Sequence, residues 1–459
     1  MTKKLVFLLL VCLVLVGCGK TAAYSAGNTV PSSGETQIGN TVPASGETQT
    51  GNTESQSEGT TAVPDATDAT SSTEESDTEE TAPEKEKLPD PVSFWNPICN
   101  NCISLFESTQ STEAFATIPK GATIGLVNWD GRYARVVYDG QVGYVYSHCL
   151  KPADPDYFSK YLKVLTLTTK YTYAQMQADM KTLQALYPQL ITVFSIGKTE
   201  MNRDIPIMVV GDLDAKYQIL VQAAIHGREH FTAWITMAMM DYLLKENNIP
   251  ADVCYHIIPM SNPDGVIISQ TGRLEEEQMM VYNLDLKYGY AYSSLSHYAT
   301  QWKANALGED INRNFIYGWI PSDERSAPSS EKYRGHAPFS TAEARALRDY
   351  TMRYGLNATL SLHSCGNVLY YQYGTKEPVN RLSYSLAKAV QGTTGYIPTA
   401  HDNTTGAGYK DWAMEEFGIP SLTVEIGSSS VPIPLQDTYN SFDRCRDLLP
   451  TVYNWLKKK

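Results

Sequence analysis

The sequence lacks the features that mark several large classes of protein. Basic residues are not in excess, since 37 Lys and Arg stand against 50 Asp and Glu in 459 residues, which argues against a nucleic-acid-binding surface. The longest apolar run, residues 5–16, has twelve members, whereas a membrane-spanning helix needs roughly 20. Only one Cys-x-x-Cys pair, Cys99 and Cys102, is present, so a four-cysteine zinc site is not expected. A local disulfide and free thiols both stay open for this pair.

The amino terminus is typical of an export signal. Two lysines precede the apolar run, which ends in Leu-Val-Gly-Cys at residues 15–18. This ending resembles a bacterial lipobox, in which the cysteine carries a lipid; an ordinary signal peptide with a chance cysteine is the alternative. We therefore expect residues 1–18 to be a lipoprotein signal peptide with Cys18 as the lipidation site. The mature protein is then extracytoplasmic and attached to the cell membrane through this lipid alone.

Residues 19–92 are of low complexity. Ser, Thr, Gly, Glu and Pro dominate, and a twelve-residue unit that begins Gly-Asn-Thr-Val-Pro occurs twice. Between residues 19 and 90, fourteen acidic residues stand against three lysines, so most of the net charge of -13 belongs to this segment. Such a segment buries too little apolar surface to offset the chain entropy lost on folding. We predict a disordered, acidic, Ser/Thr-rich tether.

Residues 95–152 contain short β-rich runs separated by turn signals. Asp-Gly pairs at 130–131 and 139–140 each lie between two such runs, which is a strong indication of β-hairpins. The ending Gly-Tyr-Val-Tyr-Ser-His-Cys-Leu-Lys at 143–151 resembles the last strand of bacterial SH3-like domains, which often bind cell-wall peptides. We expect a small SH3-like β-barrel, which serves either as a binding module or as a spacer.

Residues 165–459 alternate between apolar strand patterns and amphipathic helix patterns. This alternation predicts an α/β fold, a three-layer α/β/α domain with a mixed central sheet. Strands are predicted at 219–225, 254–260, 358–363 and 422–426, and helices at 174–186, 231–244 and 341–353.

Three of the predicted strands end in residues that bind metals or transfer protons. His226 and Glu229 follow one strand, His363 ends another, and Glu425 lies among apolar neighbours in a third. The carboxyl ends of strands are where sites gather in open α/β sheets. Two histidines and a carboxylate can hold Zn²⁺ and leave a position open for water, and a half-buried glutamate is a candidate general base.

From about residue 165 to the C-terminus, the chain resembles the zinc carboxypeptidase family, peptidase family M14. Five motifs occur in the order that the family has them: His-Gly-Arg-Glu at 226–229, Asn-Pro-Asp-Gly at 262–265, Asp-Ile-Asn-Arg-Asn-Phe at 310–315, Leu-Ser-Leu-His-Ser at 360–364 and Thr-Val-Glu-Ile-Gly at 423–427. The resemblance implies one zinc ion per chain, bound by His226, Glu229 and His363. It also implies that Glu425 is the base that activates water.

The resemblance further assigns residues that bind the substrate. Arg228, Asn312 and Arg313 match the residues that position the substrate and hold its terminal carboxylate, and a planar guanidinium suits this role because it can grip a carboxylate with two hydrogen bonds. Lys303 stands where the family has an arginine that polarises the scissile carbonyl, which makes it a candidate catalytic residue. The mobile pocket tyrosine of the family falls at about Asn403, so Tyr409 is the candidate substitute or the function is absent.

Residues 302–305 and 408–412 are more similar to the bacterial branch of the family that cuts γ-D-glutamyl-diaminopimelate bonds in cell-wall peptides. On this resemblance, Lys410 lies at the base of the pocket for the residue after the cut, where a lysine favours an acidic side chain such as that of diaminopimelate. The alternative is that Lys410 is a surface charge that pairs weakly with Asp411 in water.

A competing metal site involves the neighbouring histidine. His226, Glu229 and His230 also match a His-x-x-Glu-His pattern in which both histidines bind zinc and the glutamate is the base. That pattern requires a continuous helix, whereas here an apolar strand leads directly to His226. His230 is therefore expected outside the metal site, and Cys365 is expected to fill the core. The remaining histidines are expected to be structural or solvated, and these are His148, His256, His297, His336 and His401.

The sequence as a whole predicts a zinc-dependent metallopeptidase of the metallocarboxypeptidase type that acts on peptidoglycan stem peptides. The alternative enzyme is a carboxypeptidase that acts on secreted or environmental proteins and peptides. A different class is a non-catalytic cell-wall-binding lipoprotein with an inactive peptidase domain. The intact set of three metal ligands, Glu425 and Arg313 argues against this class, because an inactive domain has no need of all five.

Overall fold

The computed structural model describes residues 87–98, 101–291, 294–320, 325–374, 376–400, 406–428 and 430–459. The predicted signal peptide with Cys18 and the predicted tether up to residue 86 lie outside this range, as do Cys99, His401 and Asn403. The described residues belong to one compact unit. Within them, no helix is both long enough and apolar enough to cross a membrane.

The first part of this unit, which we call the N-terminal β unit, spans residues 93–152. Its strands are β1 (Ser93–Pro97), β2 (Cys102–Leu105), β3 (Ala116–Pro119), β4 (Ile124–Asp130), β5 (Tyr133–Tyr138), β6 (Gln141–Tyr146) and β7 (Leu150–Pro152). Five of them form an antiparallel sheet in the order β6-β5-β4-β1-β7, and β2 pairs with β3. Both predicted Asp-Gly hairpins are confirmed, since these pairs join β4 to β5 and β5 to β6. The SH3-like assignment stays a prediction.

The rest of the described chain is built on an eight-stranded sheet in the order β14-β13-β15-β12-β10-β11-β9-β8. Its strands are β8 (Ile191–Lys198), β9 (Asp204–Val210), β10 (Tyr217–Ala223), β11 (Val253–Ile258), β12 (Ala358–His363), β13 (Val368–Tyr370), β14 (Ile397–Thr399) and β15 (Ser421–Glu425). Strand β10 pairs in parallel with β11 and β12, and β12 with β15, whereas β13 runs antiparallel to β15. The predicted mixed sheet is confirmed.

Helices cover both faces of this sheet. They are α1 (Tyr157–Tyr161), α2 (Tyr173–Leu186), α3 (Phe231–Lys245), α4 (Pro263–Thr271), α5 (Glu276–Lys287), α6 (Leu295–Thr300), α7 (Ala342–Thr351), α8 (Glu377–Thr394), α9 (Tyr409–Phe417), α10 (Leu435–Cys445) and α11 (Leu448–Lys457). Successive residues of a strand point to opposite faces. Val221 of β10 packs with α2, α3, α8, α10 and α11 in one apolar core, whereas Leu220 packs with α7 and α9 in the other.

The predicted strands and helices agree with the observed ones within two residues at each end. The strand predicted at 219–225 stops at Ala223, because the next residue, Ala224, has a left-handed φ of 48° and turns the chain out of the extended conformation. Strand β12 ends at His363, which lies opposite Glu425 of β15 in the parallel register. The sheet therefore brings these two side chains to the same edge.

The N-terminal β unit is fixed to the rest of the described chain through the turn between β4 and β5. Gly131 in this turn donates its backbone N–H to Gly395 O at 2.8 Å. Its own carbonyl accepts hydrogen bonds from Asn367 Nδ2 at 3.1 Å and from Arg444 Nη1 at 2.7 Å. The Arg444 side chain is fully buried and lies 4.7 Å from the ring centre of Trp129. A charged group buried in this way holds the turn in one position.

Candidate active site

The loop after β10 is shaped by two of the five motifs, His-Gly-Arg-Glu and Asn-Pro-Asp-Gly. A Cβ atom on Gly227 would lie 2.3 Å from Gly265 O, so only glycine allows the two segments to approach this closely. Asn262 connects the segments through its side chain, because its Nδ2 donates to Ile225 O at 3.1 Å and its Oδ1 accepts from Gly265 N at 2.9 Å. The Asn-Pro-Asp-Gly motif therefore supports the loop that carries His226 and Glu229.

The three side chains predicted to bind metal lie together, and we call them the His–Glu–His cluster. His226 Nδ1 lies 2.8 Å from Glu229 Oε1, and His363 Nδ1 lies 2.9 Å from Glu229 Oε2. The candidate ligand atoms are all within 4.8 Å of one another, and all three residues are buried. Burial alone would raise the pKa of Glu229, but the two imidazoles hold it well below its ordinary value. Two nitrogens and an anionic carboxylate form a donor set that fits Zn²⁺.

Asp310 orients the first histidine of the cluster, a contact that the sequence did not predict. The carboxylate of Asp310 is completely buried, and its Oδ1 lies 3.3 Å from His226 Nε2. Burial raises the pKa of Asp310, but the His226 ring and the cations Arg313 and Lys303 hold it well below its usual range. A carboxylate behind a ligand histidine fixes the tautomer and the ring orientation. The only signal in the sequence was that this aspartate begins the 310–315 motif.

Glu425 lies beside the cluster without belonging to it. It ends β15 opposite His363 and lines the same pocket. Burial raises the pKa of the Glu425 carboxyl to about 7, and His363, Lys303 and Arg228 act in the opposite direction. An ionisable carboxyl that faces the pocket and is free of the metal-binding set can transfer protons at neutral pH.

The pocket has a volume of about 450 Å³ and is lined by four cationic side chains. These are Arg228, Lys303, Arg313 and Lys410. The structure thus brings these four predicted residues together with the His–Glu–His cluster, and Asn312 also lies in this wall, whereas Tyr409 does not. Arg313 Nη1 donates to Asn312 O at 3.0 Å, which orients the guanidinium. So many cations around one pocket suit a substrate that carries several carboxylates.

Lys410 is a buried part of this wall. Its Nζ donates to Gln372 O at 2.9 Å and lies 2.5 Å from Asp411 Oδ1. The two side chains are only 9% and 12% exposed. The alternative that Lys410 and Asp411 form a solvated surface pair is therefore wrong, although Asp411 is indeed the partner.

Tyr409 does not reach the pocket, so the prediction that it replaces the pocket tyrosine is wrong. Its side chain is fully buried, and its hydroxyl lies 2.9 Å from Thr351 Oγ1 of α7. Tyr409 is the first residue of α9, and adjacent residues of a helix point about 100° apart, so Tyr409 faces the core while Lys410 faces the pocket. Tyr370 of β13, which the sequence analysis did not single out, supplies the phenol that lines the pocket.

The other histidines and Cys365 were also placed by the fold. His230 lies outside the His–Glu–His cluster, and burial lowers its pKa to about 4. The His-x-x-Glu-His alternative is wrong, because residues 227–229 form a short 3-10 turn and α3 begins only at Phe231. His256 is structural, with hydrogen bonds of 2.6 Å to Tyr350 and Gln218.

Cys365 packs against the core on one side, but it also lines the pocket, which corrects the expectation that it only fills the core.

Comparison with known proteins adds four similarities. The Zinc carboxypeptidase family (Peptidase_M14) matches residues 176–439. Gamma-D-glutamyl-L-diamino acid endopeptidase 1 of Lysinibacillus sphaericus is 30% identical over 281 residues, which are 58% of this chain and 68% of that protein. Carboxypeptidase B of Astacus astacus is 25% identical over 288 residues, which are 56% of this chain and 86% of that protein. The crystal structure of thrombin activatable fibrinolysis inhibitor, at 16% identity and a TM-score of 0.51, covers 67% of this chain and 80% of its own, and it shows the fold alone.

Proposed function

The chain belongs to the zinc carboxypeptidase family and is a metallocarboxypeptidase-type hydrolase that uses zinc, and we propose that it cuts peptidoglycan stem peptides between γ-D-glutamate and diaminopimelate. The observation that carries this proposal is the buried Lys410–Asp411 pair in the pocket wall. The 30% identity to a γ-D-glutamyl-L-diamino acid endopeptidase supports the same substrate class.

The Lys410–Asp411 pair suits the side chain of diaminopimelate. This side chain ends in an ammonium and a carboxylate on the same carbon atom, so it is a zwitterion at neutral pH. Lys410 and Asp411 offer a cation and an anion 2.5 Å apart in a place that is largely withdrawn from water. A side chain with one net charge would add an unbalanced charge to this largely buried pair, which is costly, and an apolar side chain would offer the two charged groups no polar contact. The pair therefore favours diaminopimelate over lysine, glutamate and phenylalanine.

Arg313 and Asn312 suit the main-chain carboxylate of the same residue. Both line the pocket, and the guanidinium of Arg313 can hold a carboxylate through two parallel hydrogen bonds. A substrate bound in this way ends at the diaminopimelate residue and presents the preceding peptide bond to Glu425.

The catalytic step then follows from the positions of the chain's own groups. The His–Glu–His cluster would hold the zinc ion, which would act there as a Lewis acid that polarises carbonyl oxygens and lowers the pKa of bound water. The Glu425 carboxylate takes a proton from the attacking water and delivers it to the leaving nitrogen. Arg228 and Lys303 line the same pocket as Glu425, where their charge stabilises the negative charge that develops on the scissile carbonyl oxygen.

The proposed cellular setting rests on the sequence. A lipid on Cys18 attaches the protein to the outer surface of the cell membrane, and the tether of residues 19–92 gives the peptidase reach into the cell wall. The N-terminal β unit acts in this setting as an SH3-like module. The apolar run before Cys18 and the low complexity of the tether support this arrangement.

The test is to digest purified peptidoglycan with the full-length protein and to identify the released products by mass. Synthetic γ-D-glutamyl peptides that end in diaminopimelate, lysine, glutamate or phenylalanine are then compared. We expect a preference for diaminopimelate that is lost in Lys410→Ala and kept in Lys388→Ala, which removes an exposed lysine on α8. A wild-type preference for phenylalanine or lysine would contradict the proposal.

A further inference from the structure

The N-terminal β unit contacts the sheet edge that carries the active site. Strand β13 runs antiparallel to β15, so its first residue, Val368, lies opposite Glu425. Asn367, which precedes β13, donates a hydrogen bond to Gly131 O of the β unit at 3.1 Å. Gly395, which precedes β14, accepts one from Gly131 N at 2.8 Å. Because β13 and β14 are parallel neighbours, both contacts lie at the edge where β15 ends.

The β unit and Lys410 lie on opposite sides of Glu425. Strand β13 begins with Val368 beside Glu425 and ends with Tyr370. Two residues after this end, Gln372 O accepts the hydrogen bond from Lys410 Nζ. Gly131 is therefore at one end of this wall and Lys410 at the other. A substrate whose last residue lies at Lys410 has its amino-side portion directed past Glu425 towards the β unit.

At that end the β unit presents a cation beside an aromatic pair. Arg132 is exposed, and its side chain makes no hydrogen bond or ion pair with any residue that the structure describes. It directly follows Gly131, whose carbonyl accepts the hydrogen bond from Asn367, so its backbone lies beside the loop that runs from Cys365 in the pocket wall to β13. Tyr133 and Tyr146 lie opposite each other on β5 and β6 with stacked rings 4.9 Å apart, and Tyr146 is 40% exposed.

The turn that carries Arg132 is held rigidly. Arg444 donates to the carbonyls of Gly131 and Tyr133 on either side of Arg132, and the Arg132 carbonyl accepts from Ser147 N at 2.9 Å. The backbone of Arg132 is thus fixed on both sides, while its side chain has no hydrogen-bond or ion-pair partner in the part of the chain that the structure describes. Because the backbone is already fixed, binding of an anion needs to order only the side chain of Arg132.

We propose that Arg132 and the Tyr133–Tyr146 pair form a subsite for the portion of the substrate on the amino side of the cleaved bond, in which Arg132 binds the free α-carboxylate of the γ-linked glutamyl residue. This inference rests on the proposed function. In a γ-linked glutamyl residue the side-chain carboxyl forms the scissile amide, so the α-carboxylate stays free and lies a short aliphatic chain away on the amino side. Arg132 is the cation at that end of the wall, and the tyrosine pair offers a flat apolar surface for the chain that follows.

The experiment compares two tripeptides, L-alanyl-γ-D-glutamyl-diaminopimelate and the same peptide with the glutamyl α-carboxylate converted to an amide. Full-length wild type, Arg132→Ala and Lys120→Ala are assayed on both, where Lys120→Ala removes an exposed lysine next to β3. For the free carboxylate, Arg132→Ala should raise KM roughly tenfold, the scale of one exposed charge-assisted hydrogen bond, and leave kcat nearly unchanged. The amidated peptide should show no difference between Arg132→Ala and wild type, and Lys120→Ala should behave as wild type on both.

Binding without turnover gives a second readout. In the Glu425→Gln background, adding Arg132→Ala should raise the Kd of the peptide with the free α-carboxylate by the same factor, as measured by isothermal titration calorimetry. Arg132→Lys in place of Arg132→Ala should restore part of the lost affinity.

The outcomes separate the two proposals. If wild type cleaves the γ-glutamyl peptides and Arg132→Ala equals wild type on both, the subsite is wrong and the proposed function stands. An equal loss on the free and amidated peptides would also overturn the subsite, because Arg132 would then act through the fold. If wild type cleaves neither peptide, the proposed function fails and the subsite fails with it.

Discussion

Replacing Glu425 with glutamine separates proton transfer from metal binding at this site. Glutamine keeps the size of the side chain and its hydrogen-bonding capacity, but it cannot accept a proton. Glu425 lies outside the His–Glu–His cluster, whose three ligand atoms are all supplied by other residues. We therefore expect Glu425→Gln to bind one zinc ion per chain, as the wild type does.

The expected loss of rate follows from the role of the carboxylate. A positioned general base contributes roughly 10²- to 10⁴-fold to the rate, which corresponds to about 3–5 kcal/mol of transition-state stabilisation. No other carboxylate in the described pocket wall can take over, because Glu229 is in the cluster and Asp411 is paired with Lys410. The kcat of Glu425→Gln should therefore fall at least about 10²-fold, with a small change in KM.

The assay measures diaminopimelate released from the γ-D-glutamyl tripeptide by mass spectrometry, and zinc content by plasma emission. Glu377→Gln is the matched control, since this glutamate is exposed on α8 and its loss should change neither quantity. Loss of zinc in Glu425→Gln would make Glu425 a metal ligand. A kcat close to that of the control would refute its role as the base.

Two further predictions concern the metal and the stability of the fold. His363→Ala removes the imidazole that contacts Glu229 Oε2, so most of the bound zinc should be lost. His336→Ala, which changes an exposed histidine, should keep its zinc. Undiminished zinc content in His363→Ala would rule out the cluster as the metal site. Burial raises the pKa of Glu343 to about 8 from an ordinary 4.5, so its contribution to stability is full at low pH and is lost as the pH rises towards 8. Glu343→Gln should remove this loss, which amounts to at most about 1.4 kcal/mol of unfolding free energy per pH unit. The free energy of unfolding is measured by urea denaturation between pH 5 and 8. The same dependence on pH in the wild type and the variant would contradict the burial argument.

The predicted strands and helices came close to the observed ones because their signals are local. The apolar run at 219–225 and the amphipathic pattern at 341–353 each reflect burial against a neighbouring layer, and each appears in the structure within two residues. The residues of the candidate active site were equally accessible to prediction, because the end of a strand fixes where the next side chain can lie. His363 at the end of β12 and Glu425 at the end of β15 are brought together by the parallel register alone.

The residues that were missed or misplaced depend on contacts between distant segments. Asp310 reaches His226 across 84 positions of the chain, and no periodicity encodes that approach. Tyr409 and Lys410 are adjacent in sequence, yet the direction of α9 sends one into the core and the other into the pocket. Cys365 lines the pocket because the chain passes along its rim between His363 and β13.

The sequence by itself predicted a mixed sheet with four of its strands, the candidate metal-binding residues and the cations of the substrate site, because these follow from patterns and motifs within short stretches. Only the tertiary structure decided that the N-terminal β unit is fixed at the rim of the active site. Its turn at Gly131 meets Asn367, Gly395 and Arg444, which are 236 to 313 residues away. Hydrogen bonds between segments so far apart form only when both are folded, so a linear pattern contains no record of them.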